Sequence, residues 1–240
     1  MSRNPARSHR VTDAPHTAPR RRGLWRRARR WLLGMLALLL VAVLSLSLLY
    51  TVLSPPSTLM LARWLGGQPV ARQVVPLTAI SPHLIHLVVT SEDARFCQHH
   101  GVDWQELRSV IRAGIHRGAS TIPMQTTKNV FLWQEPALPR KLLEIPLALW
   151  LDWLWGKPHM LTVYLNIAEW DAGVFGAEAA SRHYFGKSAR DLTRREAALL
   201  ATSLPAPRER DPARPSPGHR QLAEGLLGRA RQAGELTACL

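Results

Sequence analysis

Residues 31–53, WLLGMLALLLVAVLSLSLLYTVL, are 23 consecutive positions without one charged side chain. At about 1.5 Å rise per residue, a helix of that length crosses a hydrocarbon layer of about 30 Å. A cleaved signal peptide has a shorter apolar region and a small-residue cleavage site. Here the run is longer and is followed by Ser54-Pro55-Pro56, so it is predicted to remain as a membrane anchor. The charge distribution orients it. Residues 1–30 hold ten arginines against one acid, Asp13, whereas only Arg63 and Arg72 occur in the twenty or so residues after the run. This asymmetry places the N-terminus in the cytoplasm and everything from about Pro55 onward outside.

Most of the formal charge of +14 thus belongs to the tail, which carries +9 and leaves +5 for residues 31–240. An isoelectric point of about 11.3 invites a nucleic-acid reading. The arginines, however, abut a membrane span, and the rest of the chain has neither an aromatic-basic RNA motif nor zinc-finger spacing. Attraction to anionic lipid heads explains them, and no nucleic-acid partner is expected. Cys97 and Cys239 would lie in an oxidising space, where a bridge is conceivable. The penultimate position of Cys239 in a tail expected to fray favours two free thiols.

The exported part reads as helical, and no run alternates with period two for long enough to make a strand. Ser81-Pro82 has the form of an N-cap with proline in the first turn, opening PHLIHLVVTSEDARF. Asp103 and Glu106 form a capping-box pattern for a helix that Gly118 would stop. Pro123 places the start of the next helix after Ser120-Thr121. Helices are further predicted over 140–155, interrupted at Pro146, and over 158–166, 178–185 and 193–204. The last of these has a second capping box, Thr193-x-x-Glu196. Residues 205–219 form a loop before a final helix at about 221–233.

Acids are scarce, and five of them stand in apolar helical context: Glu92, Asp93, Glu144, Asp152 and Glu169. Glu92 ends the apolar stretch LIHLVVTSE, where partial desolvation would raise its pKa toward the range of a general base. Taken alone, it is equally a solvated helix-end acid. Glu144 follows Arg140-Lys141 by one turn, an ordinary ion-pair spacing. Ser120-Thr121, ahead of a helix bearing Lys128, could present hydroxyls and first-turn N–H groups to an anion, or simply cap.

In order along the chain stand EDARFCQHHG (92–101), GASTIPMQTTKN (118–129), RKLLE (140–144), KPHMLTVYLN (157–166) and LTRREAALLATSLPAP (192–207). This series resembles the five motifs of the peptidoglycan glycosyltransferases, glycosyltransferase family 51, over roughly residues 85–207. Residues 167–185, IAEWDAGVFGAEAASRHYF, are similar to the family's linker between its fourth and fifth motifs. The short chain with one span resembles the family's monofunctional members. It ends at Leu240 without an S-x-x-K, so no transpeptidase activity is expected.

The resemblance implies a mainly α chain in three parts: a basic cytoplasmic tail (1–30), a transmembrane helix (31–53) and a lysozyme-like helical glycosyltransferase domain (54–240) in the periplasm, anchored in the inner membrane. It implies polymerisation of lipid II by an inverting transfer. The 4-hydroxyl of the acceptor's GlcNAc attacks C1 of the MurNAc at the growing strand's reducing end, and undecaprenyl pyrophosphate leaves. By match of motif, Glu92 is the general base. Glu144 acts on the pyrophosphate side, orienting basic groups or holding a divalent cation such as magnesium or manganese. Lys128, Arg140 and Lys141 surround the phosphates, with Ser120, Thr121 and Gln125 as hydrogen-bonding groups. Asp93, Phe96, His99, Gly101, Asn129, Tyr164 and Asn166 support the motifs. Lys157 belongs either to the donor-side set or, the favoured reading, to a helix start. The implied partners are lipid II, the growing strand and membrane lipids, with cell-division or elongation proteins as further candidates. No organic cofactor is implied.

Three departures bear on substrate contact. Pro123-Met124 stand where the family usually has a polar run, which removes an amide expected to face sugar or phosphate. Ser109 stands where an arginine is common, with Arg108 and Arg112 beside it, and Pro136 replaces another arginine. The aromatics Phe131, Trp133, Trp150, Trp153 and Trp155 suit a segment lying in the headgroup layer, or a core. Two other functions remain open: a lytic enzyme that cleaves glycan with one acidic glutamate, and an idle membrane-anchored scaffold.

Overall fold

A computed structural model describes residues 21–113, 119–233 and 236–240. It divides into two compact units, with the boundary between Leu44 and Ser45. The described part of the first is wholly helical, belonging to α1 (Arg21–Leu49), whose apolar stretch Trp25–Leu49 is long enough to cross a membrane. The helix stops four residues before the predicted end. Residues 50–53 instead form turns in which Tyr50 N donates to Leu46 O and Leu53 N to Leu49 O, ahead of the two prolines.

The second unit is mainly α. Its helices are α2 (Thr58–Leu65), α3 (Pro82–Glu92), α4 (Trp104–Ala113), α5 (Ile122–Phe131), α6 (Leu138–Ile167), α7 (Ala177–Phe185), α8 (Arg194–Ser203) and α9 (Pro217–Gln232). Several ends obey the local signals. Asp103 Oδ1 accepts from Gln105 N and Glu106 N at the start of α4, Thr121 caps α5, and Thr193 with Glu196 closes a reciprocal capping box on α8. Ser81 occupies the N-cap position of α3, but its hydroxyl donates to Leu192 O and thereby ties α3 to the approach of α8. The proposed stop of α4 at Gly118 lies outside the described residues. Helix α9 starts four residues before the predicted position because Ser216 caps it, accepting from His219 N.

Helix α2 and three short strands carry no sequence signal of the kind sought. Helix α2 has eight residues, too few for a period to emerge; it is fixed by the Ser57 cap at one end and Gly66 at the other. Three strands of two or three residues, β1 (Ala71–Arg72), β2 (Glu169–Asp171) and β3 (Val174–Phe175), form a small sheet in the order β1-β3-β2. β1 runs parallel and β2 antiparallel to β3.

The core is built on α3. Leu84, Leu87, Val88 and Val89 pack with Leu161, Tyr164 and Leu165 of α6, Trp170, and Leu226 of α9. Ala197, Ala198 and Ala201 of α8 let that helix approach closely. A smaller cluster of Val102, Met124 and Ala148 joins the loop after α3 to α5 and α6. Helix α6 is two helices across a kink at Gly156, whose φ of 67° only glycine adopts readily. It continues through Pro146, because the carbonyl that this proline leaves unpaired belongs to Leu142, a residue 62% exposed to solvent. The aromatics divide residue by residue. Trp155 is buried and Trp150 half-buried, both donating to Ser47, whereas Trp153 is 74% exposed and Trp133 is also exposed.

Cys97 and Cys239 are bonded, with Cα atoms 5.6 Å apart, which overturns the expectation of two free thiols. The tail is not frayed: α9 packs along α3 and α8 and delivers residues 236–240 to the turn at 96–98, where Leu236 and Cys239 meet the core. The bond spans 142 residues and restricts the unfolded chain, a stabilisation of about 2–5 kcal/mol for a bond of this kind.

Candidate active site

Glu92 is the last residue of α3, half-buried in the wall of a cleft of about 450 Å³ that Ser91, Asp103, Ser120 and Arg229 also line. Its Oε1 accepts from Ser91 Oγ at 3.1 Å and its Oε2 from Gln125 Nε2 at 3.1 Å. Gln125 in turn accepts from the buried Tyr164 hydroxyl at 3.2 Å. Desolvation raises the pKa of Glu92, helped by the neighbouring Asp93 charge; Gln125, Ser91 and Lys128 oppose the shift without cancelling it. Burial raises the Tyr164 pKa well above the ordinary phenol value, so its hydroxyl stays a neutral donor.

Asp93 fixes this end of α3 to α5. Both of its oxygens meet His99 Nε2, at 2.9 and 3.0 Å, and its Oδ2 accepts from Ile122 N at 2.9 Å. The second motif follows at once. Thr121 also lines the cleft, but its buried Oγ1 is committed, accepting from Met124 N and donating to Gly101 O at 2.6 Å. Ser120 lines the cleft too, and its Oγ accepts from Lys141 Nζ at 2.7 Å.

Beyond Ser120 lies a group of charges. Glu144 is 2% exposed; its Oε1 is paired with Arg140 Nη1, and its Oε2 lies 2.9 Å from Lys141 Nζ. Arg140 Nε also donates to Glu135 O. Lys128 lines an adjoining cavity with Gln125, Asn129 and Tyr164 and lies within electrostatic reach of both glutamates. Desolvation lowers its pKa, reinforced by Arg140 and Lys141. Glu92 and the Arg140–Lys141–Glu144 group are thus joined through α5, which supplies Gln125 to one and Lys128 to both.

A divalent cation at Glu144 does not fit these residues. Each carboxylate oxygen already faces a fixed cation, and no group of three or more Asp, Glu, His or Cys side chains converges among the described residues. The site carries its own positive charge instead.

Several of the residues expected to support the motifs make structural contacts. Phe96 lies in the core, and the side chain of Asn166 bonds Val75 N, Val75 O and Thr162 O. Asn129 Oδ1 accepts from Gln134. Met124 packs in the cluster with Val102 and Ala148, where an apolar side chain fits. Lys157 follows the Gly156 kink and pairs with Asp152, in keeping with the helix-start reading. Ser91 and Arg229 escaped the sequence reading. Ser91 adjoins Glu92 and could have been noticed; Arg229 arrives on α9 from 137 positions away, with no local signal.

The shifts predict a bell-shaped pH profile. As a general base Glu92 would act only when ionised, so activity is expected to fall as pH drops through a pKa raised above the ordinary glutamate value. As a cation for the phosphates Lys128 would need its charge, so activity is expected to fall again as pH rises through a pKa below the usual lysine value. Initial rates across pH in detergent check both limbs, and Lys128→Arg should push the alkaline limb upward.

A family profile described as Transglycosylase matches residues 59–231. Among curated proteins, the chain is similar to the biosynthetic peptidoglycan transglycosylase of Nitrobacter winogradskyi, 48% identical over 212 residues, or 86% of this chain and 93% of the relative. That of Rhodopseudomonas palustris strain HaA2 is 47% identical over 220 residues, covering 89% and 96%. That of Rhizobium meliloti is 44% identical over 230 residues, covering 93% and 97%. The chain belongs to the transglycosylase family.

Proposed function

We propose that this member of the transglycosylase family is a peptidoglycan glycosyltransferase that polymerises lipid II into β-1,4-linked glycan strands for the cell wall. The observation that carries the reading is the pairing of a desolvated base, Glu92, with a cluster of three cations across α5. The incoming 4-hydroxyl gives its proton to Glu92 as its oxygen bonds to C1 of the strand's terminal MurNAc. The bond from C1 to the pyrophosphate oxygen breaks, and the electron pair leaves with undecaprenyl pyrophosphate. Lys128, Arg140 and Lys141 stabilise that departing charge, and Glu144 holds the last two in place. Inversion follows from attack opposite the leaving group.

A lytic enzyme would need a protonated glutamate and would have no use for a cation cluster held by a second carboxylate. Purified protein incubated with labelled lipid II separates the readings. Polymer formation supports the transferase, shortening of preformed glycan supports the lytic enzyme, and the absence of both supports the scaffold.

The location follows the same reading. The basic N-terminus lies in the cytoplasm, and the catalytic unit lies outside the inner membrane, where an oxidising space favours the Cys97–Cys239 bond. Leu138, Leu142, Leu143, Leu149 and Trp153 give α6 an exposed apolar side suited to the headgroup layer, next to which the lipid chain of the substrate remains.

A further inference from the structure

We propose that Asp152 and Lys157 form a positioning pair that sets the spacing between the base and the cation cluster; the inference rests on the polymerase reading above. The Asp152 side chain is buried and that of Lys157 nearly so, both belong to α6, and Asp152 lies outside the five motifs. In an unbroken helix, residues five apart point about 140° away from each other. The kink at Gly156 turns Lys157 back, so that its Nζ lies 2.9 Å from Asp152 Oδ1 and 4.6 Å above the Phe96 ring centre.

The other carboxylate oxygen does the positioning. Asp152 Oδ2 accepts from Gly101 N at 2.9 Å. Gly101 has φ +69°, and a Cβ there would lie 2.7 Å from Ala148 O, so the glycine is pressed against α6 one turn before the residue that holds its N–H. Its carbonyl accepts from Thr121, the cap of α5. The adjacent Ser120 accepts from Lys141, and Lys141 pairs with Glu144, which lies two turns before Asp152 on α6. The contacts close a ring: Asp152, Gly101, Thr121, Ser120, Lys141, Glu144 and back along the helix. Within it, Ile122 N reaches Asp93, the neighbour of the base. Releasing Gly101 from Asp152 opens the ring at the point where the first motif meets the second.

The test separates acceptor from charge. Removing Lys157 alone leaves a buried carboxylate without its cation, a destabilising change that says nothing of positioning. Two double variants of the full chain remove both charges. In D152N/K157Q the new carbonyl still accepts the Gly101 N–H, and the two introduced amides can bond to each other. D152L/K157M keeps the volume but removes the acceptor. We expect thermal unfolding of both within a few degrees of wild type. Lipid II turnover should stay within about threefold for D152N/K157Q and fall about tenfold or more for D152L/K157M, in kcat with KM little changed. Wild-type kcat in D152L/K157M overturns the proposal, and so does equal loss in both variants. Amide hydrogen exchange on the wild-type chain gives an arm that needs no variant. Gly101 N–H should be protected, and rapid exchange there overturns the proposal even if neither variant folds. A wild-type protein that fails to polymerise lipid II would sink the functional reading instead, while the exchange result still decides whether the Asp152–Gly101 bond exists.

Discussion

Glu92→Gln should abolish polymerisation, lowering lipid II turnover by about 10²–10⁴-fold, the range over which a positioned base acts. The amide keeps the size of the side chain and can still hydrogen-bond with Gln125 and Ser91, so the cleft retains its shape. What it cannot do is take the proton of the attacking hydroxyl. The fold should not suffer. A carboxylate whose folded pKa is raised binds its proton more tightly folded than unfolded, so its ionised form weakens the fold above that pKa. That penalty vanishes as pH falls below the unfolded pKa. Glu92→Gln should therefore unfold at the same temperature as wild type or higher at pH 7, with the difference shrinking toward pH 4. Differential scanning fluorimetry beside a gel assay of labelled glycan reads both. Full activity in the variant would remove Glu92 from the role of base, and a collapse in stability would mean that its main duty is structural.

How far such a site is legible in a sequence depends on the distance between cause and consequence along the chain. Thr193 and Glu196 are three apart and form the box their spacing predicts. Arg140, Lys141 and Glu144 share one helix turn, and their pairing is the one the spacing allows. Ser120 and Thr121 look alike in sequence, yet one hydroxyl meets a lysine at the cleft and the other is consumed by a cap and a glycine carbonyl. That division depends on Gly101, twenty residues earlier. Met124 has the look of a lost polar contact in sequence, but α5 turns it inward, where an apolar side chain is what the cluster needs. The Cys97–Cys239 bond and Arg229 depend on where α9 returns, which is set by the packing of α8 and α9 on α3 and has no local trace. The strands are too short for any period to show.

Glu144→Gln should also cripple the enzyme, but for the opposite electrostatic reason and with the opposite effect on the fold. Glu144 is the buried counter-charge to Arg140 and Lys141, and it attracts Lys128, which those two cations repel. An amide has one acceptor left for two cations and turns an N–H toward the other. Breaking a buried pair by removing one partner costs about 3–5 kcal/mol; the effect here should fall toward the lower end, since the Lys141 side chain is 36% exposed and solvent screens its share. The unfolding temperature should drop, unlike that of Glu92→Gln. Turnover should fall about 10²–10³-fold, the loss typical when a preorganised electrostatic group is disturbed. Binding of the leaving group should not weaken in parallel. Without the carboxylate the cluster is more positive, so inorganic pyrophosphate should inhibit the variant at least as tightly as wild type. Tight inhibition with slow turnover is the signature of cations that still attract phosphate but are no longer aimed at the transition state. If Glu144 instead held a divalent cation, the substitution would weaken pyrophosphate binding, and excess magnesium would restore part of it. Inhibition constants for pyrophosphate, measured with and without added magnesium, distinguish the two roles. Near-normal turnover would reduce Glu144 to an ordinary ion-pair residue.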